Sequence, residues 1–134
     1  MKQIVSGVEY LHDEGILHRD IKLGNILIKG DTVKIADFGL AISFHDNDVP
    51  KSICGTPNFL APEVYRIKLH STASDIWAVG CVLYSLLAGE NPFPYSGMPA
   101  TGERIMRMDY TIPIHVTDHS RDTIQSLLEE DYTK

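Results

Sequence analysis

The feature that most constrains the fold is a strongly apolar stretch near the middle of the chain, at residues 76–88. Ser74 and Asp75 stand before it as candidate helix caps, and Gly89 follows where a left-handed cap would end a helix. A helix that is apolar on nearly all sides must be surrounded by protein. The sequence therefore predicts a central buried helix at about residues 75–88, with the other elements packed around it.

An amphipathic helix and a β-hairpin are predicted ahead of this stretch. Apolar residues fall at helical spacing near the N-terminus, and Gly15 is placed to end that helix. Two short β-branched runs, 26–28 and 33–35, flank a Lys-Gly-Asp-Thr sequence that is typical of a hairpin turn. The apolar positions of the first helix are Ile4, Val5, Val8 and Leu11.

The part of the chain after the central stretch is predicted to be less regular. Residues 90–102 contain three Pro and two Gly, so we expect them to be mostly loop. A short helix is expected at residues 104–108, and a last helix after it. The candidate caps and apolar positions of the last helix are Thr117 or Asp118, then Ile124, Leu127 and Leu128. These elements together predict a mainly α fold with a small β-hairpin, which is an α+β protein.

Composition excludes several classes of function. The 134 residues include 18 acidic and 12 basic side chains, giving a formal charge of -6 and suiting one domain. No nucleic-acid partner is expected, because such binding depends on Lys and Arg, and no apolar run approaches the roughly 20 residues that cross a bilayer. Cys54 and Cys81 lie 27 positions apart without metal-binding spacing, which favours reduced thiols in an intracellular protein.

Four polar residues, Asp20, Lys22, Asn25 and Asp37, gather near the open end of the predicted hairpin. If the hairpin pairs, the loop before its first strand lies beside the loop after its second. Asn25 and Asp37 then face a common point, and such a pair of oxygen donors suits Mg²⁺, which completes its shell with water and phosphate. Asp20 is left to act as a base, and Lys22 to neutralise a phosphoryl oxygen.

Each of these residues alone also has an ordinary structural explanation. Asp20 would cap a turn, Lys22 would be a solvated charge, and Asp37 would begin an Asx-turn. The occurrence of three linked motifs in the right order favours a catalytic role for these residues instead. His-Arg-Asp-x-Lys-x-x-Asn is followed twelve residues after Asn25 by Asp-Phe-Gly, and then by Ala-Pro-Glu at 61–63.

With these three motifs the chain resembles a eukaryotic protein kinase over residues 1–134. The resemblance implies a partial kinase domain with the protein-kinase-like C-terminal lobe, its N-terminal lobe missing. The catalytic loop would be 18–25 and the activation segment 37–63. Within the superfamily the chain is similar to the polo-like kinases. The segments that carry this second similarity are 1–5, 22–25, 53–59, 104–105 and 110–113.

The resemblance implies ATP and Mg²⁺ as cofactors and a role for each matching residue. Asp20 would accept or orient the proton of the substrate hydroxyl, and Asn25 and Asp37 would hold Mg²⁺. Lys22 would steady the transferred γ-phosphoryl group. Thr56 would hydrogen-bond Asp20 and Lys22, and together with Lys22 it is typical of kinases that act on Ser and Thr of protein substrates.

The resemblance also implies a regulatory pair, Arg19 and Ser52. An arginine directly before the catalytic aspartate marks kinases whose activation segment is ordered by phosphorylation, and Ser52 stands where the family carries the phosphorylated residue. A phosphoserine there would gain one to about three charge-assisted bonds. An upstream activating kinase is therefore a possible partner. Ser43 stands where some relatives have a second basic residue.

Other residues match architectural positions of the family. His18 would be a buried histidine satisfied by the backbone. Asp75 would brace the catalytic loop, and Trp77 would pack behind the activation segment. Glu63 would pair with an arginine expected beyond residues 131–134, so the C-terminal end looks cut. The N-terminal end looks cut as well, because the chain begins at the helix before the catalytic loop and lacks the Gly-rich loop and strand lysine of the family. Pro99 and Gly102 are expected to disturb the helix that relatives form before residue 105.

Two classes of function stay open at this point. The first is an ATP-dependent serine/threonine kinase of polo-like type, related to the cell cycle and located in the cytoplasm or nucleus, with a centrosomal site if the polo-like similarity holds. The second is a truncated, catalytically silent interaction module with the kinase fold. The intact polar set favours the enzyme, and the expected absence of the other lobe favours a silent chain. We expect the 134 residues alone to bind ATP too weakly for ordinary assays.

Overall fold

The computed structural model describes residues 1–44 and 49–130, and within them the chain is mostly helical with two small antiparallel sheets. The α+β prediction is confirmed. The expected activation segment, 37–63, lies partly outside the described residues. The last four residues, 131–134, where the C-terminal end was expected to look cut, lie wholly outside them. The helices are α1 Lys2–Asp13, α2 Pro62–Ile67, α3 Thr72–Ala88, α4 Met98–Met106 and α5 Asp118–Leu127. The strands are β1 Ile16–Leu17, β2 Ile26–Lys29, β3 Thr32–Ile35 and β4 Ile42–Ser43.

The predicted hairpin is confirmed as β2 and β3. The two strands pair antiparallel, with Ile26 opposite Ile35 and Lys29 opposite Thr32. The turn between them places Gly30 at φ 57°, a left-handed conformation that glycine adopts without steric cost. The second sheet pairs β1 with β4. The sequence did not predict this sheet, because its strands have only two residues each and so show no periodic pattern.

Helix α1 is amphipathic, as predicted, and buries Ile4, Val8 and Leu11. It packs against β3 and α3, so it joins the hairpin to the central helix. The side-chain amide of Gln3 connects α1 to the hairpin directly. It donates to the Asp31 carbonyl at 2.7 Å and accepts from the backbone N–H of Val33 at 2.7 Å.

Helix α3 is the predicted central helix, and it closes at Gly89 with φ 83° as expected. Its predicted start is wrong, because the helix begins at Thr72 with Ser71 as its N-cap. The backbone N–H of Ser71 donates to the Ser74 hydroxyl at 3.0 Å, one half of a capping box. Asp75 does not cap the helix, because its carboxylate accepts from the backbone of another segment.

The largest part of the core forms around the buried face of α3. Trp77 stacks on Phe93 with ring centroids 5.8 Å apart. Leu60 and Ala61, which follow the 3₁₀ turn Pro57–Phe59, belong to the same cluster, so Trp77 packs behind this part of the expected activation segment, as predicted. The other buried members are Val64, Cys81, Tyr84, Ile105, Val116, Ile124 and Leu128.

The prediction that residues 90–102 are mostly loop is wrong over its last third. Helix α4 begins at Met98, with Pro99 in its first turn, where the missing N–H costs no intrahelical bond. Gly102 does not disturb this helix. It is buried, and a Cβ built on it would lie 2.8 Å from the Tyr65 ring. The glycine is therefore a close-packing position between α2 and α4.

Helix α5 begins after Thr117, one of the two predicted caps, whose hydroxyl accepts from the backbone N–H of Ser120 at 3.4 Å. It packs on α3 at Gly80, where a built Cβ would lie 2.9 Å from Leu127 and 2.9 Å from Leu128. In the part of the chain that the structure describes, no helix is both long and apolar enough to cross a membrane.

Candidate active site

The loop that carries Asp20 is fixed to α3 by the carboxylate of Asp75. One carboxylate oxygen accepts from the backbone N–H of His18 at 2.9 Å, and the other from that of Arg19 at 2.9 Å. Arg19 has φ 65°, a left-handed conformation that costs free energy in a residue with a side chain. The two bonds to a buried carboxylate stabilise that conformation, and the predicted bracing role of Asp75 is confirmed.

Two histidines support this loop. His18 is fully buried, and its Nε2 lies 3.0 Å from the carbonyl of Ala36, so it is the backbone-satisfied histidine that was predicted. Its ring meets the Phe38 ring edge-on, with centroids 5.1 Å apart. His12 on α1 lies 3.0 Å from the Asp75 carboxylate. Sequence reasoning missed His12, because 63 residues separate the partners and the pattern offers no signal of the contact.

The carboxylate of Asp20 contacts donor groups of three residues, two in its own loop and one in a distant segment. Its Oδ1 accepts from the backbone N–H of Thr56 at 3.0 Å and from the Thr56 hydroxyl at 2.7 Å. Its Oδ2 lies 3.4 Å from the Lys22 ammonium and accepts from the Asn25 amide at 3.3 Å. These contacts hold the carboxylate in one orientation, which is a requirement for a group that handles a substrate proton.

Thr56 connects the two charged residues of the loop. Its hydroxyl accepts from Lys22 Nζ at 2.8 Å and donates to the Asp20 carboxylate at 2.7 Å, so the hydrogen bonds run from Lys22 through Thr56 to Asp20. Both hydrogen bonds that were expected of Thr56 are present. Gly55 makes this approach possible. It has φ 101°, and a Cβ there would lie 2.5 Å from the Arg19 carbonyl oxygen.

Asn25 and Asp37 stand at the open end of the hairpin. The backbone N–H of Ala36 donates to the Asn25 carbonyl at 2.8 Å, which brings the residue before Asp37 next to Asn25. Asn25 is buried, and its Nδ2 donates to the Asp20 backbone carbonyl at 2.8 Å. Because the amide nitrogen is used there, the amide oxygen is the Asn25 atom suited to bind a cation.

Asp37 is exposed and has φ 63°. Its Oδ1 accepts from the backbone N–H of Gly39 at 3.2 Å, so the Asx-turn considered from the sequence is present. This turn uses one carboxylate oxygen and is compatible with a metal ligand at the other. Within residues 1–44 and 49–130, no three His, Cys, Asp or Glu side chains cluster as a metal site. A carboxylate and an amide fit Mg²⁺ all the same, because this ion takes few protein ligands.

Arg19 joins the beginning of the expected activation segment to its middle. Its Nε donates to the Leu40 carbonyl at 2.7 Å, and its Nη1 donates to the Ser52 hydroxyl at 3.4 Å. The backbone N–H of Ser52 donates to the Lys68 carbonyl at 3.1 Å. The structure therefore brings together the two residues that were expected to form the regulatory pair.

Glu63 is a buried carboxylate near the site. It is 3% exposed, and burial raises its pKa. The Ser74 hydroxyl donates to it at 2.8 Å. The arginine expected as its partner was placed beyond residues 131–134, so that pairing stays a prediction.

Comparison with known proteins matches the protein kinase domain family to residues 1–134. The serine/threonine-protein kinase plk-1 of Caenorhabditis elegans is 47% identical over 133 residues, which is 98% of this chain and 20% of that protein. The serine/threonine-protein kinase PLK1 of Xenopus laevis is 44% identical over 135 residues, covering 99% of this chain and 23% of the relative. The serine/threonine-protein kinase PLK4 of Nematostella vectensis is 44% identical over 132 residues, which is 97% of this chain and 14% of that protein.

The chain therefore belongs to the protein kinase domain family. Within that family its similarity is to polo-like serine/threonine kinases, as the motifs predicted. The chain spans between 14% and 23% of the length of these three relatives.

Proposed function

We propose that this chain is the catalytic C-terminal-lobe part of an ATP-dependent, polo-like serine/threonine kinase. It would transfer the γ-phosphoryl group of ATP to Ser or Thr hydroxyls of intracellular proteins that act in the cell cycle. One observation carries the proposal: the Asp20 carboxylate is fixed by Lys22, Asn25 and Thr56 in a loop that is braced from the core. An ammonium group, an amide and a hydroxyl that converge on one carboxylate support a catalytic role for it.

Asp20 and the residues around it would have different roles in phosphoryl transfer. Asp20 orients the substrate hydroxyl and accepts its proton, exchanging one of its present contacts for that hydroxyl. The ammonium of Lys22 neutralises charge on the transferred group. Thr56 keeps Asp20 and Lys22 at a fixed separation, because its hydroxyl is hydrogen-bonded to both.

Asn25 and Asp37 would hold Mg²⁺ through the amide oxygen and a carboxylate oxygen. Bound Mg²⁺ and ATP supply the reactive phosphate and neutralise its charge. The hydrogen bond from Asn25 Nδ2 to the Asp20 backbone links this proposed ligand to the proposed base. The proposed base and one proposed Mg²⁺ ligand therefore lie in the same loop, which ends with the 3₁₀ turn Leu23–Asn25.

Phosphorylation of Ser52 by an upstream kinase is the proposed control. The Arg19 guanidinium already reaches the Ser52 hydroxyl, and a phosphate there would replace one weak contact with charge-assisted bonds. Because Arg19 directly precedes Asp20, such bonds would act on the loop that carries the proposed base. A Ser52→Ala version of the full-length chain that kept wild-type activity would exclude this control.

The test is phosphate transfer from ATP to a serine peptide by the full-length chain, which here means the complete translated product that contains residues 1–134. We expect Asp20→Asn to lower kcat by a factor of about 10² to 10⁴, since the general base is lost. Asp31→Asn, in the exposed hairpin turn, is the matched control and should retain wild-type activity. A tyrosine peptide should remain unphosphorylated. If the wild-type full-length chain transfers no phosphate, the silent interaction module becomes the better account.

A further inference from the structure

A tyrosine of helix α2 is hydrogen-bonded to the short turn that precedes this helix. The hydroxyl of Tyr65 donates to the Pro57 carbonyl at 2.8 Å. Pro57 begins the 3₁₀ turn Pro57–Phe59, and Thr56 is the residue directly before that turn. The catalytic roles proposed above make no use of this bond.

The ring of Tyr65 is held in place by helix α4. A Cβ built on Gly102 would lie 2.8 Å from two carbon atoms of the ring, so the ring lies close against the backbone of that helix. The Met98 sulfur, in the first turn of α4, lies 3.9 Å from the hydroxyl. Helix α4 packs against both α2 and the 3₁₀ turn. These contacts limit the directions that the hydroxyl can take, and they aim it at Pro57.

The Tyr65 hydroxyl stays a hydrogen-bond donor at physiological pH. Burial raises the pKa of Tyr65 to about 12, and the neighbouring Tyr95 acts in the same direction. A phenol with this pKa keeps its proton. The Pro57 carbonyl also accepts from the backbone N–H of Leu60 at 3.2 Å. Loss of the Tyr65 hydroxyl would therefore leave the carbonyl with a partner, and would loosen the orientation of the turn without unfolding it.

The turn connects Tyr65 to the proposed base through two successive residues. The Tyr65 bond ends on Pro57, and Thr56 comes directly before Pro57. The backbone N–H and the hydroxyl of Thr56 donate to the Asp20 carboxylate at 3.0 and 2.7 Å. A shift of Pro57 must move Thr56, because the peptide bond between them is planar and stiff. A shift of about 1 Å in a catalytic group is enough to slow a reaction strongly.

We propose that Tyr65 is a positioning residue for phosphoryl transfer. Its hydroxyl holds the Pro57–Phe59 turn against α2 and α4, and the turn holds Thr56 at the Asp20 carboxylate. Tyr65 acts through Thr56 and does not itself handle the proton. The kinetic consequence rests on the proposed kinase function, whereas the mechanical connection from Tyr65 to Thr56 does not.

The first test is steady-state kinetics of the full-length chain with a serine peptide. Tyr65→Phe keeps the ring and removes the hydroxyl, and we expect kcat to fall about fivefold or more while the KM for ATP stays unchanged. Tyr95→Phe removes the hydroxyl of an exposed tyrosine and is the matched control, which should keep the wild-type kcat.

A double variant tests whether the effect passes through Thr56. In a Thr56→Val background, Tyr65→Phe should lower kcat less than about twofold, because the two residues act in series and their effects are not additive. A Tyr65→Phe variant with the wild-type kcat would overturn the proposal. A decrease of equal size in both backgrounds would do so as well, because it would show an effect that is independent of Thr56.

The second test does not depend on activity. The amide hydrogen of Thr56 is bonded to Asp20, and its exchange with deuterated water is measured by mass spectrometry in a peptide of residues 54–59. We expect Tyr65→Phe to speed exchange in this peptide about threefold or more, and Tyr95→Phe to leave it unchanged. Exchange in peptides from α3 should keep the wild-type rate, which separates a local effect from general loosening.

Unchanged exchange in the Tyr65→Phe peptide would overturn the connection to Thr56, whether or not the chain transfers phosphate. If the wild-type chain transfers no phosphate while Tyr65→Phe speeds the exchange, the proposed kinase function fails and the mechanical connection is supported. The two proposals can therefore fail separately.

Discussion

At the scale of single residues, the carboxylate of Asp20 connects separate segments of the chain. Its donors include a neighbour two positions away, Lys22, and a threonine 36 positions away, Thr56. The contact with Thr56 closes the expected activation segment onto the loop. The orientation of the proposed base thus depends on the conformation of a distant segment, which is a physical basis for control by that segment.

We expect Thr56→Val to lower kcat of the full-length kinase about 100-fold with a smaller effect on KM. Valine keeps the shape and removes the hydroxyl that links Lys22 to Asp20, and misplacement of a catalytic group by about 1 Å has an effect of this size. Thr56→Ser is the matched control, because it keeps the hydroxyl, and should retain at least a fifth of the activity. Steady-state kinetics with a serine peptide provide the measurement.

A Thr56→Val variant with unchanged kcat would show that the hydroxyl does not position Asp20. Thermal unfolding of both variants separates a kinetic effect from simple loss of structure. We expect their unfolding midpoints to lie close to that of the wild type.

Residues in short motifs could be placed from the sequence, and residues in distant contacts could not. Thr56 and Asp75 were predicted to contact the loop because their motif positions carry that information. The contact of Cys54 with His70 joins residues 16 positions apart that belong to no common periodic pattern. Which side chains meet across such a distance depends on the packing of whole elements, and local pattern does not encode it.

At the scale of elements, α3 and α4 show where local pattern succeeds and where it fails. The apolar run predicted α3 because a helix that is buried over most of its surface leaves a clear compositional signal, although Leu86 and Leu87 near its end are exposed. Helix α4 begins earlier than predicted because proline and glycine were interpreted as helix breakers. In the structure Pro99 stands in the first turn, and Gly102 allows close contact with Tyr65, so each has a positional role that composition does not reveal.

Two helical glycines should respond oppositely to the same substitution. Gly80→Ala would place a Cβ 2.9 Å from the Cβ of Leu127, and relief requires α5 to move away from α3. We expect a net loss of about 1–2 kcal/mol of unfolding free energy, because overpacking outweighs the gain in helix propensity. Gly7→Ala meets only the flexible end of Ile35, at 3.2 Å, and should be neutral or stabilising by up to about 0.5 kcal/mol.

Urea unfolding of the full-length chain measures both changes. Equal effects of the two substitutions would contradict the close packing of α3 on α5. An increase in stability for Gly80→Ala would do so as well.

At the scale of the whole molecule, buried titratable groups make stability depend on pH. Burial lowers the pKa of His70, so below about pH 6.5 the unfolded chain takes up a proton that the folded chain does not. We expect stability to fall as the pH drops from 7.5 to 5.5, by at most about 1.4 kcal/mol per pH unit from this group. Glu63 acts in the opposite direction, because its pKa is raised and the folded chain holds the additional proton.

Urea midpoints at the two pH values, compared between wild type and His70→Asn, isolate the histidine contribution. His115→Gln, at an exposed position, is the control and should keep the wild-type pH dependence. A His70→Asn variant that loses stability on acidification as steeply as the wild type would show that His70 is protonated equally in the folded and unfolded chains.

Helix α3 has two structural roles, since its buried side chains fill the core and the carboxylate of Asp75 binds the backbone of His18 and Arg19. Its buried residues should therefore tolerate fewer substitutions than those of an ordinary core helix. A substitution deep inside the protein that rotates this helix slightly would displace the loop of the proposed base without contacting it. Inherited changes in α3 should accordingly impair turnover before they reduce the amount of folded protein.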